Sequence, residues 1–398
     1  MAGPLVGIRV LDLSRFVAGP YCSTLLSDLG AEVIKVESSQ GDDVRTFGPF
    51  YKDTDFSLYY NSLNRNKKGM AVNFRSPEGR KILQRLAAKC DVILENFRVG
   101  TLEKMGLGDE ELKKINPNII VTSVSGFGQT GPFSKRIAFD PVPQAMSGVM
   151  DMTGRPDGDP TLVGFVLSDI MGAVFATVGT LAALYHKVNT GEGQHVDISM
   201  LDNLIAIMAA LGHIPGALVN GVGPTRRGNR DPSTAPSNTF RTKDGYVFIH
   251  VGTDPHFSKF CKMIGRNDLL SENKYKYNWQ RVADVEFVEK LVADYVADKT
   301  TSEVEEIFDK AGLICGAVAS IRTVSQSPQI AARKLIEYIP SSIGTELPVV
   351  GINVKLSRTP GKITRPAPKL GEHNIEICQN LLGFTQGEIK EMQEKGII

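Results

Sequence analysis

The sequence predicts an α/β fold: a doubly wound, Rossmann-like parallel sheet in a large domain, and a smaller α+β domain. Three observations carry this. Short apolar runs alternate with helix-length stretches as far as Val124, some of those stretches open on helix-start signals such as Ser76-Pro77, and a Gly-, Pro-, Asn- and Ser-rich tract, 216–238, precedes a different mix of elements. A chain of 398 residues also exceeds what one core usually supports. The expected organisation is 1–215 as the first part of the large domain, 216–237 as a linker and 238–325 as the small domain. A return linker follows over 326–368, and 369–398 rejoins the large domain.

Taken in order, Gly7–Leu13 reads as a strand, Pro20–Leu29 as a helix with proline at its start, and Ala31–Val36 as the second strand of a βαβ unit. Strands are expected at Met70–Phe74, Val92–Glu95 and Ile119–Val124, with a helix over Ser76–Lys89. The first strand-to-helix turn, SRFVAGPYC, lacks the Gly-x-Gly-x-x-Gly spacing that brings a pyrophosphate onto the backbone, so no nucleotide cofactor is expected. Cations such as Arg15, Lys35, Arg65, Lys67 and Lys68 lie near strand ends, where open α/β sheets bind ligands. Beyond the tract at 216–238, Tyr246–His250 alternates as a strand. Helical stretches follow at Pro255–Ile264, Arg281–Ala297 and Thr301–Lys310, then a strand near Ala317–Ser320 and tail helices near Asn374–Leu382 and Gly387–Lys395.

Apolar residues at 42%, charged residues at 22% and a net charge of +1 describe a globular chain with no basic field for nucleic acid. Five scattered cysteines without a Cys-x-x-Cys pair, and a start with neither basic head nor long apolar core, predict reduced thiols and a cytoplasmic location. No histidines sit at metal-ligand spacing on one helix, so no metal is expected.

Between Asp159 and His186, Asp169 is the one charged residue. It opens an apolar run, Ile170–Tyr185, read as a buried helix too short to cross a membrane. Two readings follow: an N-cap satisfying free amides, or a carboxylate nucleophile in an apolar setting.

Several phrases resemble the class III CoA-transferase family of CaiB/BaiF type. They are Gly7-Ile-Arg-Val-Leu-Asp-Leu to Ala18-Gly-Pro, Gly30-Ala-Glu-Val-Ile-Lys-Val-Glu, Asn64-Arg-Asn-Lys-Lys, Glu95-Asn-Phe-Arg, Ser125-Gly-Phe-Gly-Gln-Thr-Gly-Pro, Gln144-Ala-Met-Ser-Gly and Leu370-Gly-Glu-His, in the family's order across nearly the whole chain. The family includes formyl-CoA transferase, carnitine CoA-transferase and succinyl-CoA-dependent transferases. The resemblance implies a ring-like chain in an interlocked homodimer, an acyl-CoA donor, a carboxylic acid acceptor and coenzyme A as substrate thioester. It makes Asp169 the nucleophile, passing through an aspartyl anhydride and an aspartyl-CoA thioester. It places Val17, Ala18, Val72, Asn73, Phe74, Arg75, Asn96, Phe97 and Arg98 along the CoA, with Arg75, Lys104 and Arg136 as phosphate partners. In some relatives a basic residue follows the Ile-Lys-Val-Glu strand; here Ser38 does. The sister branch, α-methylacyl-CoA racemase, has a histidine before the aspartate where this chain has Phe139-Asp140, so racemase activity is the alternative. Asp140 reads as a second functional carboxylate or as the cap of the helix running to Met150. A non-catalytic CoA-binding protein is the alternative from another class. Arg226, Arg227 and Arg230 read either as a clamp for an acceptor's second carboxylate or as solvated linker, with succinyl-CoA or a similar short dicarboxylyl-CoA as the favoured donor.

Overall fold

Six short runs pair into one parallel sheet in the structure, a computed structural model that describes residues 3–271 and 274–398. The strands are β1 (Arg9–Asp12), β2 (Glu32–Glu37), β3 (Lys68–Ala71), β4 (Val92–Glu95), β5 (Ile120–Ser125) and β6 (His195–Ser199), in the order β3-β2-β1-β4-β5-β6. β1 pairs with both β2 and β4, setting Val10 opposite Val33 and Val92. The winding direction reverses there, which opens a crevice beyond the carboxyl ends of these strands, where ligands of such sheets bind.

The two-residue strand period sorts apolar side chains onto two faces. Leu11, Ile34, Met70 and Ile93 join Ile82, Leu83 and Leu86 of the helix Pro77–Ala87 and, from the tail, Ile377, Leu382 and Ile389. Val10, Val33, Val92 and Ile120 join Cys22 and Leu26 of the helix Ala18–Asp28 and Ala173, Ala176 and Ala183 of the helix Leu167–Thr190. Ser76 caps Pro77–Ala87 by accepting from Gly79 N at 3.0 Å. The tail covers the edge strand β3, where Gly69 N donates to His373 Nδ1 and Ala71 N to Asn374 Oδ1.

The structure divides into two units. The chain up to Val149, Leu162–Gly223 and Gln329–Ile398 make the first; Met150–Thr161 and Pro224–Pro328 make the second. The second unit has an antiparallel sheet of β7 (Ser237–Arg241), β8 (Tyr246–His250) and β9 (Ile314–Ala317), with Phe257, Phe260, Val288, Val292, Val304 and Phe308 in its core. It also holds 150–161, which the sequence reading gave to the large domain. Gly228 N donates to Gly154 O at 2.8 Å and Arg226 Nε to Gly158 O at 3.1 Å, tying that segment to the 224–230 loop.

Other elements depart from expectation for local reasons. The Asp169 helix runs over 24 residues to Thr190, well beyond Tyr185, so its length no longer argues against a membrane span. What identifies it as a core helix is its buried face of small residues: a Cβ on Gly179 would come within 2.6 Å of Val196 on β6. β6 itself escaped the sequence reading because His195 and Asp197 interrupt its apolar residues. The strand expected at Met70–Phe74 ends at Ala71, since Asn73 starts the turn that Ser76 N closes. The expected linker beginning at 216 is helical as far as Asn220, where Gly221 ends it at φ 72°. The strand near Ala317–Ser320 lies earlier, at Ile314–Ala317, and Ser320 instead caps Ile321–Ser325. Asp284 separates the helices Asn278–Ala283 and Val285–Val296, where one was expected. The return segment is not bare linker, for β10 (Ile336–Pro340) and β11 (Glu346–Val350) form a hairpin within it.

Candidate active site

Asp169 sits in the first turn of Leu167–Thr190, whose N-cap, Val166, has no capping side chain. Asp140 supplies the cap from another helix. Its Oδ1 accepts from Ser168 N at 2.7 Å and from Asp169 N at 3.4 Å, and Ser168 Oγ lies 2.9 Å away. Gln144 Nε2 donates to the other oxygen at 2.6 Å. Asp140 is therefore not the side-chain cap of its own helix, Pro141–Ser147, to which it makes no cap bond. Both carboxylate oxygens are occupied, and Asp169 is not the cap either.

No hydrogen bond reaches the Asp169 carboxylate from any described residue. Burial, and then the adjacent Asp140 carboxylate, push its pKa up to about 7. It faces a cavity of about 290 Å³ whose apolar lining includes Ala18, Val124, Ala138, Phe139 and Met200. A partly buried carboxylate held there, with no hydrogen bond from any described residue, is suited to attack an electrophilic carbonyl. Tyr59, which the sequence reading did not single out, is close enough that, after burial, the charges of Asp169 and Asp140 raise its pKa.

The wall beside Asp169 is the loop after β1. Phe16 stands there at φ 62° and meets Phe139 edge-on at 5.3 Å. Asn96, at the end of β4, clamps Arg15: Oδ1 accepts from Arg15 N at 2.8 Å and Nδ2 donates to Arg15 O at 2.7 Å. A side chain on Gly19 would collide with Ser14, so the helix start can press this close to the loop only with glycine. Beneath lies a fully buried ionic network. Lys67 Nζ bonds Asp12 at 3.1 Å, Asn64 at 2.8 Å and the Pro20 carbonyl at 2.9 Å, while Lys35 Nζ bonds the Ser14 carbonyl at 2.7 Å and pairs with Asp42 at 3.1 Å. Burial would raise the Asp12 pKa, but Lys67 and Lys35 hold it at about 2; burial outweighs Asp12 at Lys67 and brings that amine to about 8. Such a network is retained at a desolvation cost, and here it fixes the loop's backbone.

A second cavity, of about 940 Å³, lies over the carboxyl ends of β1 to β4 and shares Arg15 and Phe97 with the first. Its walls include Val72, Asn73, Phe74, Arg75 and Lys104.

The family described as CoA-transferase family III has a sequence profile that matches residues 5–374. The chain belongs to CoA-transferase family III. It is 37% identical over 397 residues to the human succinyl-CoA:glutarate CoA-transferase, covering 99% of this chain and 90% of that one. It is 38% identical to the acetyl-CoA:oxalate CoA-transferase of Acetobacter aceti, covering 94% and 95%. A CAIB/BAIF family protein from Brucella suis superposes with a TM-score of 0.86 at 35% identity, over 96% of this chain and all of that one.

In this family III CoA-transferase, the sequence-expected residues separate by place. Ala18, Asn96, Phe97, Arg98 and Arg136 line the Asp169 cavity, and Arg136 lies 4.9 Å over the Phe133 ring. Val72, Asn73, Phe74, Arg75 and Lys104 line the larger one. Val17 is buried and lines neither. The arginines of the 224–230 loop lie in the second unit of the transferase. Arg226 pairs with Asp151 at 2.8 Å, and Arg230 with Glu289 at 2.5 Å and Glu286 at 2.9 Å. Those two guanidinia already hold carboxylates, whereas Arg227 is exposed.

Proposed function

We propose that the chain moves CoA reversibly from an acyl-CoA to a free carboxylic acid, with Asp169 as the nucleophile. The observation that carries this reading is the Asp169 carboxylate itself, half-buried and unbonded in a cavity, with Asp140 taking over the capping that would otherwise occupy it. One Asp169 oxygen attacks the donor thioester carbonyl, the C–S bond breaks, and CoA leaves as thiolate with an acyl-aspartyl anhydride behind. The thiolate attacks the aspartyl carbonyl and expels the donor acid as its carboxylate, leaving an aspartyl-CoA thioester. An acceptor carboxylate attacks that thioester, releasing thiolate and forming a new anhydride. Attack of the thiolate on the acceptor's acyl carbon gives the new acyl-CoA and restores Asp169. Thioester and carboxylate are exchanged throughout, so no nucleotide is consumed.

The nucleotide end of CoA belongs in the larger cavity, with the pantetheine arm passing Arg15 and Phe97 toward Asp169. A short dicarboxylyl-CoA such as succinyl-CoA is the preferred donor; the relatives named for succinyl-CoA and glutarate support this. The racemase reading is disfavoured, because Phe139 precedes Asp140 and both Asp140 oxygens accept hydrogen bonds. The working form is a homodimer. Exposed apolar residues on the outer face of the Asp169 helix, Val178, Tyr185 and Val188, and Leu218 and Val219 of the helix His213–Asn220, support burial against a second copy. A panel of CoA donors and free acids, read by mass spectrometry of the esters formed, tests the activity. Exchange between succinyl-CoA and short dicarboxylates supports the reading. Exchange confined to monocarboxylic or aromatic acids removes the donor preference, and no exchange with any acid removes the activity.

A further inference from the structure

The larger cavity is built for an anion. Three carboxylates line it, and each has its own cation: Glu37 pairs with Arg45 at 2.7 Å, Asp42 with Lys35 at 3.1 Å, and Asp43 with Arg15. Three further cations in the walls, Arg75, Arg80 and Lys104, have no carboxylate partner among the described residues. The turn after β2, Ser38 to Gly41, contributes only neutral side chains.

Arg80 is the least expected of these. One end of its guanidinium is anchored, with Nη2 donating to the Arg75 carbonyl at 3.2 Å, while its buried Nε has no hydrogen-bond partner. A guanidinium that lines the cavity, is anchored through one N–H and pairs with no described carboxylate is preorganised for a doubly charged oxyanion, which its remaining terminal N–H groups can meet. Resting on the reading that acyl-CoA occupies this site, we propose that Arg80 pairs with the 3′-phosphate of the CoA ribose and sets the preference for CoA over its dephospho form.

Topology assigns the phosphate. Asp169 faces a cavity over β1, β4 and β5, so the thiol end lies on that side of the crevice. Lys104 follows β4, near that side, and meets the diphosphate. Arg75 and Arg80 follow β3, the outermost strand, and meet the end of the molecule farthest from the thiol. The cations without carboxylate partners thus stand at both phosphate-bearing parts of one CoA, Lys104 at the diphosphate and the arginines at the 3′-phosphate.

The test is calorimetric binding of CoA and 3′-dephospho-CoA to the wild type, Arg80→Gln and Arg80→Lys. The wild type is expected to bind CoA roughly tenfold more tightly than 3′-dephospho-CoA. Arg80→Gln is expected to lose that discrimination, weakening CoA while leaving the dephospho form unchanged, and Arg80→Lys to keep part of it. If Arg80→Gln does not melt like the wild type, the lysine variant carries the comparison. Equal weakening of both ligands, or no change for either, overturns the assignment. A wild type that binds both alike removes the role of Arg80 and leaves the CoA reading standing; one that binds neither removes both.

Discussion

Asp169→Asn should abolish transfer and yet make the protein more stable. In the native state burial and Asp140 raise the carboxyl pKa from 3.8 to about 7, so the fold holds this proton more tightly than the unfolded chain does. Stability from this group is therefore present when it is protonated and falls as pH rises from about 4 to about 7, staying flat above. The full difference corresponds to about 4 kcal/mol. The side chain is only partly buried and water screens it, so about 1–2 kcal/mol is the working figure, equivalent to roughly 1–3 °C in melting temperature for a chain of this length. Asparagine keeps the shape without the charge. Thermal unfolding of both proteins at pH 6, 7 and 8 should show the variant melting higher, with the gap widening and then levelling above pH 7. An N-cap role would leave the two proteins nearly equal in stability at every pH, because asparagine caps a helix about as well as aspartate. A variant that melts at or below the wild-type temperature at pH 8 refutes the uncompensated carboxylate.

The same titration should appear in kinetics: kcat/KM rises with pH through about 7 as Asp169 ionises, and Asp140→Asn moves that acid limb to lower pH by removing the neighbouring charge. An unmoved limb would mean that burial alone sets it. Lys67→Met leaves Asp12 buried with less compensation and should cost about 3–5 kcal/mol in urea unfolding; a loss under 1 kcal/mol would show that Lys35, Ser14 and Ser23 suffice.

The parts of the fold legible in the sequence were those whose signals are local. β1, β2 and β4 each centre on a short apolar run, Val10-Leu11, Val33-Ile34 and Val92-Ile93-Leu94, and Ser76-Pro77 marks a helix start that needs nothing distant. The β10–β11 hairpin was illegible because Glu337, Glu346 and Pro348 dilute a pattern that only pairing completes. At the site, Asp169 stood out as a lone charge in an apolar run. Its partner did not: Asp140 lies 29 residues earlier, beside a proline that advertises the start of its own helix, yet caps a different one. The arginine loop misled for the same reason, since Arg230 finds Glu289 across 59 residues of sequence. Arg80 reads as an ordinary helix-surface cation until the cavity and its paired carboxylates are in view.

Covalent catalysis by Asp169 is tested most directly by trapping. The enzyme is incubated with succinyl-CoA and hydroxylamine and digested, and the peptide carrying Asp169 is weighed. Hydroxylamine cleaves an aspartyl anhydride or thioester at the aspartyl carbonyl, so a hydroxamate on Asp169 is expected, dependent on the acyl-CoA and absent in Asp169→Asn. An unmodified Asp169 peptide under conditions of active transfer, together with transfer surviving in Asp169→Ala, would contradict the account.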